Sequence, residues 1–491
     1  MSGRELPAGW TLATLAELGE LARGKSKHRP RNDLKLFGDK YPFIQTGDVS
    51  NAQGEITSAK AFYSDFGLNQ SRLWPKGTLC ITIAANIAET AILGFDACFP
   101  DSVVGFCGDL ACDTKYISYY FPTVKGDLQK FAPATAQKNI NLETLSNVVV
   151  PLPPLPEQRR IVEKIEALGT RSRRAREALD TLPALIDRYR QSILAAAFRG
   201  DLTADWRARS AYTPIAKTLA AVAPPSQSRG GREATDAIIP GVGGIAVNDP
   251  GTPLPDGWAW VALRRVARQE TGHTPSRSVA EYWDGNIAWL GIKDANIHHG
   301  KVISDTVQHI TEEGLDNSSA RLLPSGTVCL SRTASVGYVT IMGKDMATSQ
   351  DFATWTCGDA LDPHYLMYAL MSEGDNIRRF GEGSTHTTIY FPEIRAFHIA
   401  MAPVEEQREI VRRIKAAMAT VDVLERQLRA ATSRLASLDQ SILAKAFRGE
   451  LAPQDPNDEP ASVLLERIRA ERAAAGPAPR RGRRPKAAGG D

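Results

Sequence analysis

The string QSILAAAFRGDL at residues 191–202 returns as QSILAKAFRGEL at 440–451, 249 residues further on. PEQRRIVEKI at 156–165 returns as EEQREIVRRI at 405–414, and PKGTLC at 75–80 returns as PSGTVC at 324–329, with the same offset. LPAGW at 6–10 returns as LPDGW at 254–258. A period this long is no solenoid. It means that a whole domain and the helix after it occur twice, with little net insertion, so the fold must be two similar bodies in one chain.

Each half divides again. Residues 1–155 and 253–404 carry short apolar or alternating runs such as TLCITIA, GTVCLS, YVTIM and AFHIAMAP, punctuated by Gly, Pro, Asn and Asp. Helical stretches (TKYISYYFPTV, PHYLMYALMS) lie between them. Each is read as a mixed α/β domain of about 150 residues, an ordinary domain size.

Residues 156–200 and 405–449 are different. Ile161, Ile165, Leu168, Ser172, Ala175, Leu179, Leu182, Ile186, Tyr189, Ile193 and Ala196 are spaced four, three, four, three. Ile410, Ile414, Ala417, Val421, Leu424, Leu428, Ala431, Leu435, Leu438, Ile442 and Lys445 repeat that spacing, the heptad seam of a coiled coil. Pro156 suits a first helical position, and Gly200 and Gly449 suit the residue after the last turn. A helix over Glu157–Phe198 would be about 63 Å long at 1.5 Å per residue. It cannot bury its stripe alone, so the two helices are expected to pack on each other as an internal spacer. Pro183 is expected to kink the first. The Pro/Gly-rich stretch 201–252 reads as a linker, and 450–491 as a short helix (ASVLLERIRAER) followed by a basic tail, GPAPRRGRRPK.

The sequence carries few chemical motifs. There is no Walker loop, GxSxG elbow or HExxH. GVGGIA lacks the full spacing of a nucleotide loop, and DPHY at 362–365 reads as a Pro-led helix start, not the base-holding loop of an amino-methyltransferase. No acidic cluster with a lysine has nuclease spacing. Cys80, Cys98, Cys107, Cys112, Cys329 and Cys357 form no CxxC pair, so reduced thiols are expected and no metal site. No stretch is apolar enough to span a bilayer, and the opening residues lack a signal-peptide pattern. A cytoplasmic protein is expected. A net charge of +3 is too small to announce nucleic acid by itself.

The duplicated domain-plus-helix, the opening LPxGW, the stretch GHTPSR…YW…G…IAWL at 272–290, the helix starts PPLPEQRRIVEKI and APVEEQREIVRRI, and the ends QSILAAAFRG and QSILAKAFRG resemble the specificity subunit of type I restriction–modification systems over nearly the whole chain. The first copy departs from the TPSR pattern, having GKSKHRPRN at 24–32. The resemblance implies an α+β protein with two target-recognition domains, each followed by a long helix, the helices pairing as an antiparallel coiled-coil spacer. It implies a non-catalytic chain that reads a bipartite, asymmetric site in double-stranded DNA. Partners would be two methyltransferase subunits that methylate adenine at N6, and restriction/translocase subunits. S-adenosylmethionine, ATP and Mg would sit on those partners, with no cofactor in this chain. Two readers on one face of a duplex imply half-site centres about one turn, roughly 34–36 Å, apart. Competing readings are a self-contained DNA methyltransferase and a coiled-coil scaffold that binds only proteins.

Candidate DNA-contacting residues follow from donor chemistry. In the first domain they are Lys25, Lys27, Arg29 and Arg31 on a Gly/Pro-bounded loop, then Gln45, Asn86 and Lys138. In the second they are Thr274, Ser276 and Arg277 on the TPSR loop, then Lys293, Ser331, Arg332, Thr385 and His386. Arg332, after a buried-looking strand, is the expected bidentate reader of guanine. Trp283 and Trp289 are expected in the core.

Overall fold

The computed structural model describes residues 6–52, 54–84, 86–130, 140–227, 233–333, 335–381 and 387–474. The chain forms two compact units, residues 1–178 with 430–491 and residues 179–429. The division falls inside both long helices. Each unit therefore holds one mixed domain, the start of the helix that follows it, and the end of the other copy's helix.

In the first unit a five-stranded sheet runs in the order Gly19–Arg23, Val103–Gly108, Leu79–Thr82, Thr90–Leu93, Glu55–Ile56. A four-stranded sheet runs Ala61–Tyr63, Phe37–Phe43, Ala97–Cys98, Leu73–Trp74. The central strands Leu79–Thr82 and Val103–Gly108 are apolar runs because both their faces are covered. Helix Thr114–Lys130 packs Tyr116, Ile117 and Phe121 onto the five-stranded sheet. In the second unit the five-stranded sheet runs Ala267–Thr271, Phe352–Cys357, Val328–Ser331, Val339–Met342, Val302–Ile303. This is the same order strand for strand, and helix Pro363–Ser372 takes the place of Thr114–Lys130. Pro363 opens that helix, as expected, and Asp362 caps it.

The long helices are Leu155–Phe198 and Val404–Ala446. Leu155, not Pro156, is the first helical residue. The helix also runs unbroken through Pro183, which lies on an exposed face where one missing backbone bond is tolerated. The helices are antiparallel. Ser172 and Arg176 bond Asp439 (2.6 Å each) in the first unit, and Arg190 pairs with Glu425 (2.7 Å) in the second. The seam is dry in part: Val421 is fully buried midway along the second helix. Ile161, Ile165, Ile193, Ile410, Ile414 and Ile442 are buried against the domains, whereas Tyr189, Leu424 and Leu438 remain 42–49% exposed.

The repeated strings converge on one joint per unit. Trp10 Nε1 donates to Glu157 Oε2 (3.1 Å), and Trp258 Nε1 to Glu406 Oε2 (2.9 Å). The next residue seals the helix start. Gln158 donates to the carbonyls of Ala111 and Pro153 and accepts from Asp113 N, and Gln407 repeats all three bonds with Ala360, Ala402 and Asp362. The end of the other copy's helix then seats on the same turn. Phe447 packs on Tyr116 and Tyr120, and Phe198 on Tyr365, with ring centroids 5.0–5.1 Å apart. Gly449 (φ 74°) lies against Pro7, and Gly200 (φ 80°) against Pro255. A Cβ there would approach the proline rings to 2.6 and 2.4 Å. LPxGW, EQ and AFRG recur together because they are the parts of one joint.

The stretch 201–252 is more than a linker. It contains helices Ala204–Arg207 and Ile215–Ala221 and strand Ile245–Val247. Ile215 N bonds Gly257 O, and Ala461 N bonds Gly9 O. Helix Ala461–Ala474 is thus the second copy of helix Ile215–Ala221, and the repeat extends past the long helices.

Strand Ile245–Val247 pairs with Phe397–Met401 at an edge that, among the described residues, has no third strand in the first unit. There Pro151 stands where Ala400 donates to Gly244 O, and the Tyr120 hydroxyl caps Val149 O. Pro on an edge strand has no N–H to offer. GVGGIA is not a phosphate loop, because the buried Glu373 carboxylate already takes the N–H groups of Val242, Gly243 and Ile245 (2.8–3.0 Å). Glycine is needed at 244, where a Cβ would lie 2.5 Å from the Phe198 ring.

Candidate nucleic-acid interface

In the first domain the basic loop leaves strand Gly19–Arg23 at Gly24, whose N–H bonds Val103 O. Lys27 N bonds Gln70 O, and Arg29 folds back on the carbonyls of Ser26 and His28 (2.6 and 2.8 Å). His28 bonds Asp33 (2.7 Å) and sits edge-on to Phe66. Arg31 spends two bonds on Asp101 (2.9 and 3.0 Å). The nearby carboxylates are therefore committed. Lys25 and Lys27, both exposed, form no ion pair among the described residues, and Arg29 has only carbonyl partners. Gln45 is exposed before helix Thr46–Asn51, and its N–H bonds Asp48. Asn86 donates to Ser50 Oγ (3.2 Å), so these two candidates lie on joined segments.

In the second domain the TPSR loop leaves the matching strand. Thr274 Oγ1 bonds Gln350 Oε1 (2.6 Å). Gln350 stands 249 residues after Asp101, the partner of Arg31. The two loops differ in sequence yet are tied to the same turn, by an ion pair in one copy and a neutral bond in the other. Arg277 lies over Trp283 and Trp289 (5.0 and 5.8 Å). The indole N–H groups of Trp283 and Trp289 bond Ser276 O and His273 O. Trp289 is in the core, and Trp283 is half-buried beside it. Ser276 bonds Ser278, and Lys293 is exposed on helix Ile292–Ile297.

Two expectations need correction. Ser331 is fully buried, and its hydroxyl donates to Ser335 O and accepts from Tyr338 N, so it faces the hairpin and not a ligand. Arg332 is half-buried and folds back on the chain. Its Nη2 donates to Gln350 O (3.0 Å), its Nη1 points at Ile389 O (3.5 Å), and its plane lies 4.6 Å from the Phe391 ring. Its Nε is buried and meets no acceptor among the described residues. Burial holds this guanidinium below the usual arginine range. Lys138, Thr385 and His386, and the basic run of the tail, lie outside the described residues. Sequence reasoning missed Gln350 and Asp101, which aligning the two copies would have paired.

The family described as the type I restriction modification DNA specificity domain matches residues 7–179 and again 255–432. The chain belongs to this family. The EcoKI specificity subunit of Escherichia coli is 26% identical over 97% of this chain and 98% of its own length. The StySPI specificity subunit of Salmonella potsdam is 24% identical with the same coverage. Among solved structures, the HsdS subunit of Thermoanaerobacter tengcongensis has a TM-score of 0.60 at 19% identity, covering 91% of this chain and 99% of that one. A chain from a study of assembly and conformational transition in the type I R-M system has a TM-score of 0.66 at 20% identity, with 91% and 100% covered. These likenesses carry the fold. Membership places the chain among non-catalytic DNA-specificity subunits. Among the described residues, no helix is long and apolar enough to cross a membrane.

Proposed function

We propose that this specificity subunit reads a bipartite, asymmetric site in double-stranded DNA, one half-site per domain. The carrying observation is one scaffold used twice with unlike loops. The turns at Asp101 and Gln350 hold a loop with several cations in the first domain and one rich in hydroxyls and indoles in the second. Equal scaffolds with unequal donors give equal docking and different readout. Lys25, Lys27 and Arg29 suit phosphate contacts, which position without reading sequence. Gln45, Asn86, Thr274, Ser276, Arg277 and Lys293 suit the groove. Lys138, Thr385 and His386 keep the roles their chemistry implies.

The chain would direct two methyltransferase subunits that methylate adenine at N6, and ATP-dependent restriction subunits, in the cytoplasm. S-adenosylmethionine, ATP and Mg would belong to those partners. The antiparallel helices would act as the spacer between half-sites. The test is co-expression with a cognate methyltransferase subunit, followed by mapping N6-methyladenine across the host genome. A two-part motif methylated only when both proteins are present supports the reading. A stable complex without new methylation refutes it in favour of a protein-only scaffold.

A further inference from the structure

The two copies place different residues at one position. Ile83 N bonds Ser102 O, and Ile140 N bonds Ile83 O; Arg332 N bonds Asp351 O, and Ile389 N bonds Arg332 O. The backbone bonds are the same, 249 residues apart. Ile83 is simply a buried core residue. The scaffold thus tolerates an aliphatic side chain here, and nothing in the fold requires an arginine.

In the second domain the guanidinium is instead taken inward at a cost in desolvation. It is braced by one carbonyl on the 349–351 turn, one on the 387–391 segment, and the face of Phe391. The 349–351 turn is in turn bonded to the TPSR loop through Thr274 and to the hairpin turn through Thr333 and Asp351. Arg332 therefore joins two segments directly, the 349–351 turn and the 387–391 segment, and the turn in its turn holds the TPSR loop. With Nε buried and Nη2 already donating to Gln350 O, neither atom of the Nε–Nη2 edge needed for one form of bidentate guanine contact is free for a base.

We propose that Arg332 is a positioning residue for the second half-site, fixing the 349–351 turn, and through it the TPSR loop, against the 387–391 segment, and not itself reading a base. The proposal rests on the recognition reading above. Its test uses the full chain with its methyltransferase partner and the variants Arg332→Ile (the residue of the other copy), Arg332→Lys and Phe391→Leu, which removes the ring beneath the guanidinium. Two readouts are taken. Without DNA, hydrogen exchange at the Ile389 amide and across 349–351 is expected to speed up by about tenfold, the factor for loss of roughly one hydrogen bond. With a library of duplexes randomised in each half-site, preference is expected to weaken at several adjacent positions of the second half-site and to stay intact in the first. Loss of discrimination at a single base pair would make Arg332 a direct reader and overturn the proposal. So would unchanged exchange in all three variants, whatever the DNA result. Absence of any preference in the unmodified complex would sink the recognition reading instead, and the exchange arm would still decide the brace.

Discussion

Glu406 and Glu157 occupy the same place in the two joints but have unequal partners, and their glutamine variants should separate sharply. Glu406 is fully buried and accepts from Trp258 Nε1 (2.9 Å), Thr203 Oγ1 (2.7 Å) and Arg207 Nη1 (2.5 Å). Arg207 is itself only 16% exposed. Glu406→Gln leaves that guanidinium without its carboxylate and turns an NH2 toward a donor. Removing one partner of a buried pair costs about 3–5 kcal/mol. Arg207 keeps Gly200 O, so the lower end, about 3 kcal/mol, is expected. In a unit of this size that is a fall of roughly 6–12 °C in Tm.

Glu157 is also buried, yet among the described residues Trp10 is its one bonded partner and its Oε1 meets no donor. Burial raises its carboxyl above the ordinary 4.5. Ionisation in the folded state is therefore penalised. Stability from this group is complete below the unfolded value and is lost as pH rises through the folded one. Glu157→Gln copies the protonated form and keeps an acceptor for Trp10. It should be neutral or stabilising by up to about 1 kcal/mol at pH 7, and the gain should vanish below pH 4.5. Urea unfolding at pH 7 and pH 4, with hydrogen exchange to assign each loss to a joint, measures both. Equal losses for the two variants would refute the argument from partner count.

Replacing Lys25 and Lys27 together with alanine should flatten the plot of log affinity against log salt by about 1.8, from 0.9 per phosphate contact, without altering base preference; anisotropy titrations on one duplex at several salt concentrations would show this, and an unchanged slope would clear both lysines of phosphate contact. Glu373→Gln should weaken the seat of strand Ile245–Val247 by about 1–3 kcal/mol, read as faster exchange at the Ile245 amide, and protection that persists would mean the strand is held by pairing alone. Gly200→Ala forces a Cβ against Pro255 at a positive φ and should destabilise the second unit by more than about 1 kcal/mol, whereas alanine at Gly169, which meets nothing, should stabilise its helix by about 0.5–1 kcal/mol. Deleting one heptad from each long helix should shorten the gap between half-sites by about 10 Å, or roughly three base pairs; methylation mapping that returned the old spacing would remove the helices as the spacer.

Sequence by itself determined the duplication, the two long helices and their ends, and the absence of a catalytic constellation to argue from. These are properties of order along the chain. A heptad series, a C′ glycine and a repeated string are legible without knowing what they touch. It also singled out the loops, because dense Lys and Arg between Gly and Pro cannot be core.

Only the tertiary structure decided what the repeated strings are for. Trp10, Glu157 and the turn that holds Phe447 and Gly449 are far apart in the chain and meet because the antiparallel helices return each end to the other copy's opening turn. It also decided which donors face outward. Arg332 looked like a reader because it follows a strand, but a side chain's direction depends on carbonyls and rings supplied by distant segments. The linker was misjudged for the same reason. Its glycines look flexible until Glu373 and Phe198, from elsewhere in the chain, are set against them.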